Sequence, residues 1–225
     1  MTLAPPQGSA DWPSFILANT RLLTPPLVPE VLLHLAEESL PIWRKTEEEL
    51  GELNVPPPYW AFAWAGGQAL ARHLLDVPSI AAGRRVLDLG TGSGLTAIAA
   101  AKAGAASVLA NDIDAVALEA VALNSGANGC AEAVTTTAEN LLAASPNGAY
   151  DLILVGDLFY EKPLADRVLI FIEAAVRAGA VVLIGDPQRS YFPRGRFEQV
   201  AEHSVPVTRE LEDAEIKRTA VWRLG

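Results

Sequence analysis

An α/β fold built on a doubly wound, mostly parallel sheet is what this 225-residue sequence predicts. Three observations predict it. From Arg84 onward, short apolar runs alternate with alanine-rich helical stretches. Two of those runs, Tyr150–Gly156 and Ala180–Gly185, are apolar on both faces, as strands covered on both sides are. The last two runs, Val205–Glu210 and Ile216–Arg223, alternate apolar and polar positions like a half-buried antiparallel pair. Alternating strands and helices imply right-handed crossovers between parallel strands.

In chain order, residues 1–29 read as irregular, with Pro5, Pro6, Pro13, Pro25, Pro26 and Pro29. Glu30 to Ser39 fits a helix with Val31, Leu32, Leu35 and Ala36 on its apolar face, interrupted at Pro41. Arg44–Glu49 is a charge run that suits a solvated helix face. Val55–Tyr59 is extended, because each proline restricts the residue before it. Trp60, Phe62 and Trp64 alternate as in a core-packed strand, and Gly66-Gly67 lead into a helix over Gln68–Leu75. Strands are then expected at Arg85–Leu89, Ser107–Asn111, Glu132–Thr136, Tyr150–Gly156 and Ala180–Gly185, which with the final pair makes a seven-stranded sheet. Helices are expected at Leu95–Ala103, Ala115–Asn124 and Leu164–Val176, with a short one at Arg194–Glu202. There is no internal repeat and no sign of a second domain.

Composition bounds the function. Half of the residues are apolar, which argues against disorder, and the length suits one core that needs no staples. Seventeen basic residues face twenty-seven acidic ones, a net charge of -10. That balance disfavours non-specific binding to nucleic acid or anionic membrane. Cys130 is the only cysteine, and His34, His73 and His203 are scattered, so neither a disulfide nor a metal site is expected. Met1 to Trp12 lacks the charged-then-apolar layout of a signal peptide, and no apolar run is long enough to span a membrane. A cytoplasmic protein is the expectation.

The stretch Val86-Leu87-Asp88-Leu89-Gly90-Thr91-Gly92-Ser93-Gly94 reads as a buried strand, a glycine turn and the start of a helix. Such a turn lets backbone approach a nucleotide-like ligand and brings unpaired helix N–H groups to it. A nicotinamide fingerprint, Gly-x-Gly-x-x-Gly, fails because Leu95 stands where its third glycine belongs. Asp88 before the turn would repel a pyrophosphate but suits an ammonium group or a ligand hydroxyl. That pattern points to S-adenosylmethionine (S-adenosyl-L-methionine), whose methionine end carries an amine and whose sulfur is cationic. About 20 residues on, Asp112 ends the next strand, where a carboxylate accepts hydrogen bonds from both ribose hydroxyls. Asp114 suits the cap of the following helix. After the third strand, Asn140 carries the donor and acceptor needed to read an adenine edge, or serves as a turn residue. The cofactor-binding candidates are thus Asp88, Gly90, Thr91, Gly92, Gly94, Asp112, Asn140 and Gly156.

The fourth strand ends in Gly156-Asp157-Leu158-Phe159-Tyr160. Ligands in open α/β sheets sit beyond the carboxyl ends of the strands, so Asp157 and Tyr160 fall near the transferable methyl as catalytic candidates. Their plain structural alternative is a capping aspartate and a packed tyrosine. Asp186-Pro187-Gln188-Arg189 follows the fifth strand at the same edge, either lining the acceptor channel or making an ordinary turn.

From about Pro56 to the C-terminus the chain resembles the seven-strand, Rossmann-like class I methyltransferases. Within them it is most similar to the protein-lysine group that acts on the β subunit of electron transfer flavoprotein. The segments Pro57–Leu70, Val86–Gly94, Gly156–Tyr160 and Ile184–Pro187 carry the likeness. The resemblance divides the chain into a helical, proline-rich extension at 1–55 and a methyltransferase domain at 56–225. It implies a protein substrate, the electron transfer flavoprotein β subunit, with no nucleic acid and no membrane as partner. It also implies that Trp64 lies over the cofactor, whereas Trp60 stays open between cofactor pocket, substrate channel and core. Asp157 is expected to orient the lysine and hold its emerging positive charge, with Tyr160 and Phe159 shaping the channel. Leu158 and Phe159 replace the prolines of the Asn-Pro-Pro-Tyr-like turn found in base and glutamine methylating enzymes. The rival readings are a methyltransferase for a ribosomal protein or small amine, a non-catalytic cofactor-binding module, and a nicotinamide oxidoreductase.

Overall fold

The computed structural model describes residues 11–36, 57–146, 148–207 and 215–224. Seven strands form one sheet in the order β5-β4-β3-β6-β7-β9-β8. In sequence they are β3 (Arg85–Leu89), β4 (Ser107–Asn111), β5 (Val134–Thr137), β6 (Leu152–Gly156), β7 (Val181–Asp186), β8 (Glu198–Pro206) and β9 (Ile216–Leu224). Strands β5, β4, β3, β6 and β7 are parallel, and β9 runs antiparallel to both β7 and β8. The helices are α1 (Trp12–Asn19), α2 (Ala65–Asp76), α3 (Leu95–Lys102), α4 (Ala115–Ala127) and α5 (Lys162–Arg177). Strand order reverses at β3, with β4 on one side and β6 on the other. A crevice therefore opens at the carboxyl ends of these strands. Two apolar layers sandwich the sheet. One gathers Leu70, Leu74, Val86, Ile98, Leu152 and Leu154, and the other Leu87, Ile153, Val155, Phe171, Ile172 and Ile184. Adjacent residues of β3 and of β6 thus enter opposite layers, which is why these strands carry no polar face.

Helix α2 packs on β7 with almost no separation. A Cβ built on Gly66 would lie 2.1 Å from the Gly185 carbonyl oxygen and 2.6 Å from Asp157 Oδ2. A Cβ on Gly185 would lie 2.0 Å from the Gly66 oxygen. Only hydrogen fits at both positions, and this brings the amino end of α2 against the end of β6.

Three expectations are corrected. Residues 1–29 are not uniformly irregular: α1 forms with Pro13 in its first turn, and Asn19 Nδ2 and Thr20 Oγ1 donate to the Phe15 and Ile16 carbonyls at its end. Within Glu30–Ser39 the described part is not a helix. Leu33–Leu35 is a strand, β2, paired antiparallel with β1 (Arg21–Leu23). Val31, Leu33 and Leu35 at period two enter the main core, while the Leu32 and His34 N–H groups donate to Asn128 Oδ1 and Asn124 Oδ1 of α4. Tertiary partners thus override the local helical pattern. Residues 37–39, Pro41 and the run Arg44–Glu49 lie outside the described residues. The short helix at Arg194–Glu202 is replaced by the start of β8, whose Glu198 pairs with Arg223 across the sheet. The antiparallel pairing with Ile216–Leu224 is found, but its first strand is Glu198–Pro206 rather than Val205–Glu210, with an irregularity between Gln199 and Ala201; residues 208–210 lie outside the described residues.

The described part of the N-terminal segment shares the cores of the rest. Phe15, Ile16 and Ala36 cluster with Trp60, Ala61 and Val116, and Val28, Val31, Leu33 and Leu35 join the main core. Among the described residues, no helix is long and apolar enough to cross a membrane.

Candidate active site

The crevice at the switch in strand order encloses about 350 Å³. That lies within the usual span of small-molecule sites, roughly 300–1,000 Å³. Its walls come from every strand end around it: Leu89 and Gly90 after β3, Asn111 to Asp114 after β4, and Gly156 to Leu158 after β6. Asn140, Tyr59, Trp64, Tyr160 and Arg189 complete the rim.

Of the sequence-derived candidates, Trp64, Gly90, Gly92, Asp112, Asn140, Gly156, Asp157 and Tyr160 are brought together on this wall. Asp88, Thr91 and Gly94 lie behind it. Asp88 is 1 % exposed. Its Oδ2 accepts from Thr91 Oγ1 at 2.5 Å and from the Ala97 N–H at 3.1 Å, and its Oδ1 accepts from Thr96 Oγ1 at 2.6 Å. Burial pushes its pKa up to about 6, against these three donors, which lower it. Asp88 thus clamps the turn to the first turn of α3 and does not line the crevice. Gly90, with φ at +66°, would place a Cβ 2.7 Å from Leu158 Cδ2. Its lack of a side chain lets Leu158 close over the turn.

Asp112 lies on the crevice wall just beyond β4. Its Oδ2 accepts from the Gly92 N–H at 3.0 Å and its Oδ1 from the Asp114 N–H at 3.0 Å. Burial raises its pKa above the usual carboxylate value. Each carboxylate oxygen carries two lone pairs, so these two bonds leave acceptor capacity for a diol. Asp114 caps α4 as expected, accepting from the Val116 N–H at 2.9 Å. Asn140 Oδ1 accepts from Arg167 Nη2 at 2.8 Å. A guanidinium only donates, so the amide NH2 of Asn140 is turned away from Arg167. Arg167 carried no sequence signal, since it is one of several charged residues on α5.

At the other end of the crevice, Asp157 takes a left-handed backbone, φ 58°. This is a sparsely populated region for a side-chain-bearing residue, of the kind that clusters at active sites. Its Oδ2 accepts from the Gly67 N–H at 2.8 Å. Gly67 stands in the first turn of α2, so the carboxylate sits where unpaired helix donors favour an anion. Its Oδ1 accepts from Arg189 Nε at 2.9 Å and Nη2 at 2.7 Å. The Arg189 guanidinium also lies 5.5 Å from the Trp64 ring centre. Trp64 turns its own N–H to the Tyr59 carbonyl at 2.9 Å. Tyr59 and Tyr160 face each other with centres 5.9 Å apart. The Tyr160 phenol is pushed up to about 12 by burial first, then by Tyr59, Glu161 and Asp112. It therefore stays protonated at neutral pH.

Phe159 does not shape the channel. It is fully buried and packs edge-on against Phe192 at 5.4 Å, anchoring the loop from below, and Leu158 takes its place on the wall. Trp60 is resolved as both core and wall: it is 1 % exposed among Phe15, Ile16 and Val116, with one edge on the crevice. Arg189 belongs to the turn expected at this edge, and its pairing with Asp157 spans 32 positions. Only the Asp-Pro signal after the fifth strand marked the place. The same turn puts Asp186 beneath it, fully buried, with Oδ1 accepting from the Arg189 N–H at 2.7 Å. Among the described residues Asp186 Oδ2 has no hydrogen-bond partner, and burial, then the neighbouring Asp157, push its pKa up to about 7.

Comparison with known proteins gives this arrangement its family. Residues 69–161 match the family described as Ribosomal protein L11 methyltransferase (PrmA). Over nearly the full length the chain is 41% identical to the electron transfer flavoprotein beta subunit lysine methyltransferase of Xenopus laevis, covering 97% of this chain and 89% of that one. It is 39% identical to the Danio rerio protein of the same name, covering 95% and 83%. The chain belongs to the electron transfer flavoprotein beta subunit lysine methyltransferase family. It is a methyltransferase of the Rossmann-like class I fold, and its cofactor is S-adenosylmethionine. Solved structures agree on the fold. A ribosomal protein L11 methylase from Lactobacillus delbrueckii subsp. bulgaricus superposes with a TM-score of 0.54 at 22% identity, covering 91% of this chain and all of that one. A magnesium protoporphyrin IX methyltransferase from Synechocystis PCC 6803, solved with bound SAM, gives 0.52 at 18% identity, covering 72% and 80%. The family's cofactor suits the donor set here, since Asp112 offers a carboxylate toward a diol and Asn140 an amide toward a base.

Proposed function

We propose that this chain methylates lysine side chains of the electron transfer flavoprotein β subunit. One observation carries the reading: at the end of β6 a carboxylate, Asp157, faces a crevice walled by Tyr59, Trp64 and Tyr160. In the same reading Asp112 holds the ribose, Asn140 the adenine, and the backbone at Gly90, Gly92 and Gly156 the remainder of the cofactor, with Trp64 against it. When bound, the cofactor supplies a methyl on a sulfonium, which a nitrogen lone pair takes while sulfur keeps the electrons of the broken bond.

The residues of this chain then have three tasks. They must align the amine, exclude water, and leave the amine unprotonated. A lysine amine has a pKa of about 10.4, so it arrives as an ammonium. Aromatic walls favour its neutral form by withholding solvation from the charge. Tyr160 cannot serve as base, because its phenol holds its own proton to about pH 12. Asp157 is aligned by Gly67 and Arg189, and orients the amine for in-line attack. Alignment alone contributes a large share of such rates. A protein acceptor rather than a nucleic acid is supported by Leu158 and Phe159, which stand in place of the prolines of the Asn-Pro-Pro-Tyr-like turn.

The test is direct. Labelled S-adenosylmethionine is incubated with the protein and either purified flavoprotein β subunit or ribosomal protein L11. Label on flavoprotein lysines, mapped by mass spectrometry, is the expected outcome. Label on L11 alone would overturn it in favour of the activity named for the family matched by residues 69–161.

A further inference from the structure

The carboxylate at the end of β6 poses a problem for lysine chemistry. A bare anion beside the amine would hold it as an ammonium, which has no lone pair to give. The structure contains an answer. Asp157 Oδ1 is engaged by two nitrogens of Arg189, at 2.9 and 2.7 Å, in a pair whose side chains are only 17% and 10% exposed. The guanidinium is itself held in three ways. It stacks over Trp64 at 5.5 Å, its backbone N–H is fixed by Asp186 Oδ1, and the preceding Gln188 adopts a left-handed backbone that turns the chain back toward the crevice. Arg189 also lines the same wall as Asp157 and Tyr160.

We propose that Arg189 is a positioning residue that neutralises Asp157, so that the acceptor amine is oriented by the carboxylate without being held protonated by it. The inference rests on the reading that Asp157 faces the acceptor lysine. The guanidinium places a fixed positive charge beside the amine, and this disfavours the ammonium. It also holds Oδ1 through two guanidinium nitrogens in a fixed plane while Gly67 holds Oδ2, a planar hold that a lysine in its place could not reproduce. After attack, the N–C bond is formed, sulfur has taken the electron pair, and the methylated nitrogen sheds its extra proton to solvent.

Other charges bear on the same spot. Asp186 at the end of β7 lies below the pair and feels Asp157, while Asp112, just beyond β4, and Glu161 act on Tyr160. Tyr59 stands before α2, and Arg167 reaches the wall from α5. Asp186 gives up its proton near pH 7 and Tyr160 near pH 12. A window of about pH 8 to 10 is therefore governed by the amine rather than by these two groups.

The experiment compares wild type, Arg189→Gln and Arg189→Lys across that window, with flavoprotein β subunit as acceptor. In Arg189→Gln the rising limb of kcat against pH, which reports groups in the enzyme–substrate complex, should move up by about one unit, which is about a tenfold loss near pH 8 largely recovered near pH 10. Arg189→Lys should keep the wild-type midpoint with a lower plateau. A second readout needs no turnover: calorimetric binding of a lysine peptide from the acceptor, with S-adenosylhomocysteine present. Wild type should bind it more tightly as pH rises, and Arg189→Gln more tightly as pH falls. A Gln variant whose loss is equal at every pH would overturn the proposal and leave Arg189 a purely structural role. A Gln variant with lower KM and higher rate throughout would also overturn it, marking Arg189 as an occupant of the lysine site. If wild type fails to label the flavoprotein, the acceptor reading fails first; peptide binding that still reverses with pH would keep the Arg189 assignment standing.

Discussion

Two aspartates end neighbouring parallel strands, Asp88 in β3 and Asp157 just beyond β6, and they have opposite fates. Asp88 meets neutral donors only: two threonine hydroxyls and one backbone N–H. It is sealed under the glycine turn. Asp157 meets a guanidinium and the first turn of a helix, and it reaches the crevice wall. The difference of position is small. Asp88 precedes the last residue of its strand, so its side chain turns under the sheet end. Asp157 follows the last residue of its own strand and adopts a left-handed backbone that turns it outward. The same residue type at one edge of one sheet is a clamp in one case and a chemical group in the other. What separates them is partner charge and a single step of backbone.

The largest effect expected from this contrast is at Asp157. Asp157→Ala should lower kcat by roughly 10²–10³-fold, as loss of one preorganised polar group does, with S-adenosylhomocysteine affinity changed little. Equal loss of both would place Asp157 with the cofactor and erase the contrast. Next, Asp88→Ala strands the Thr91 and Thr96 hydroxyls and the Ala97 N–H in a buried site. Stability should fall by roughly 2–4 kcal/mol, read by urea denaturation. An unchanged midpoint, with only cofactor binding lost, would mean that Asp88 contacts ligand after all.

The smallest effect concerns pH. Asp88 and Asp186 are pushed up to about 6 and 7, above the ordinary carboxylate value near 3.9. A raised folded-state pKa means that the folded protein binds more protons than the unfolded chain between those values. The stability these groups contribute is full below about pH 4 and is lost as pH rises through 6 and 7. Asp186→Asn mimics the protonated form and keeps the acceptor for the Arg189 N–H. Its Tm relative to wild type should therefore rise from pH 6 to pH 8. A constant difference across that span would mean that Asp186 does not titrate there.

Much of this was legible in the sequence because it is local. Strands β3, β4 and β7 stand within a residue of their expected bounds, since continuous apolar runs between glycines permit little else. The turn, Asp112 at the next strand end and the Asp114 cap follow from spacing alone. The misreadings share one cause. Residues 30–36 carry a helix-like apolar pattern, yet Asn124 and Asn128 of a distant helix supply hydrogen-bond partners that make an extended chain cheaper. Residues 198–202 mix Glu198, Gln199 and Glu202 with Val200 and Ala201, and pairing with β9 makes them a strand.

By itself, then, the sequence determined the layered α/β sheet, the site at the carboxyl ends of its strands, and several of the residues that meet there, Asp112, Asn140, Asp157 and Tyr160 among them. Periodicity and glycine spacing act over a few residues, and those are enough for that much. Which oxygen of which aspartate is covered, and by what charge, was decided only in three dimensions. Arg189 meets Asp157 across 32 positions from a turn after β7 in which Gln188 is left-handed, and two glycines let α2 and β7 touch beside it. Neither contact leaves a local mark, since each depends on segments that lie far apart along the chain.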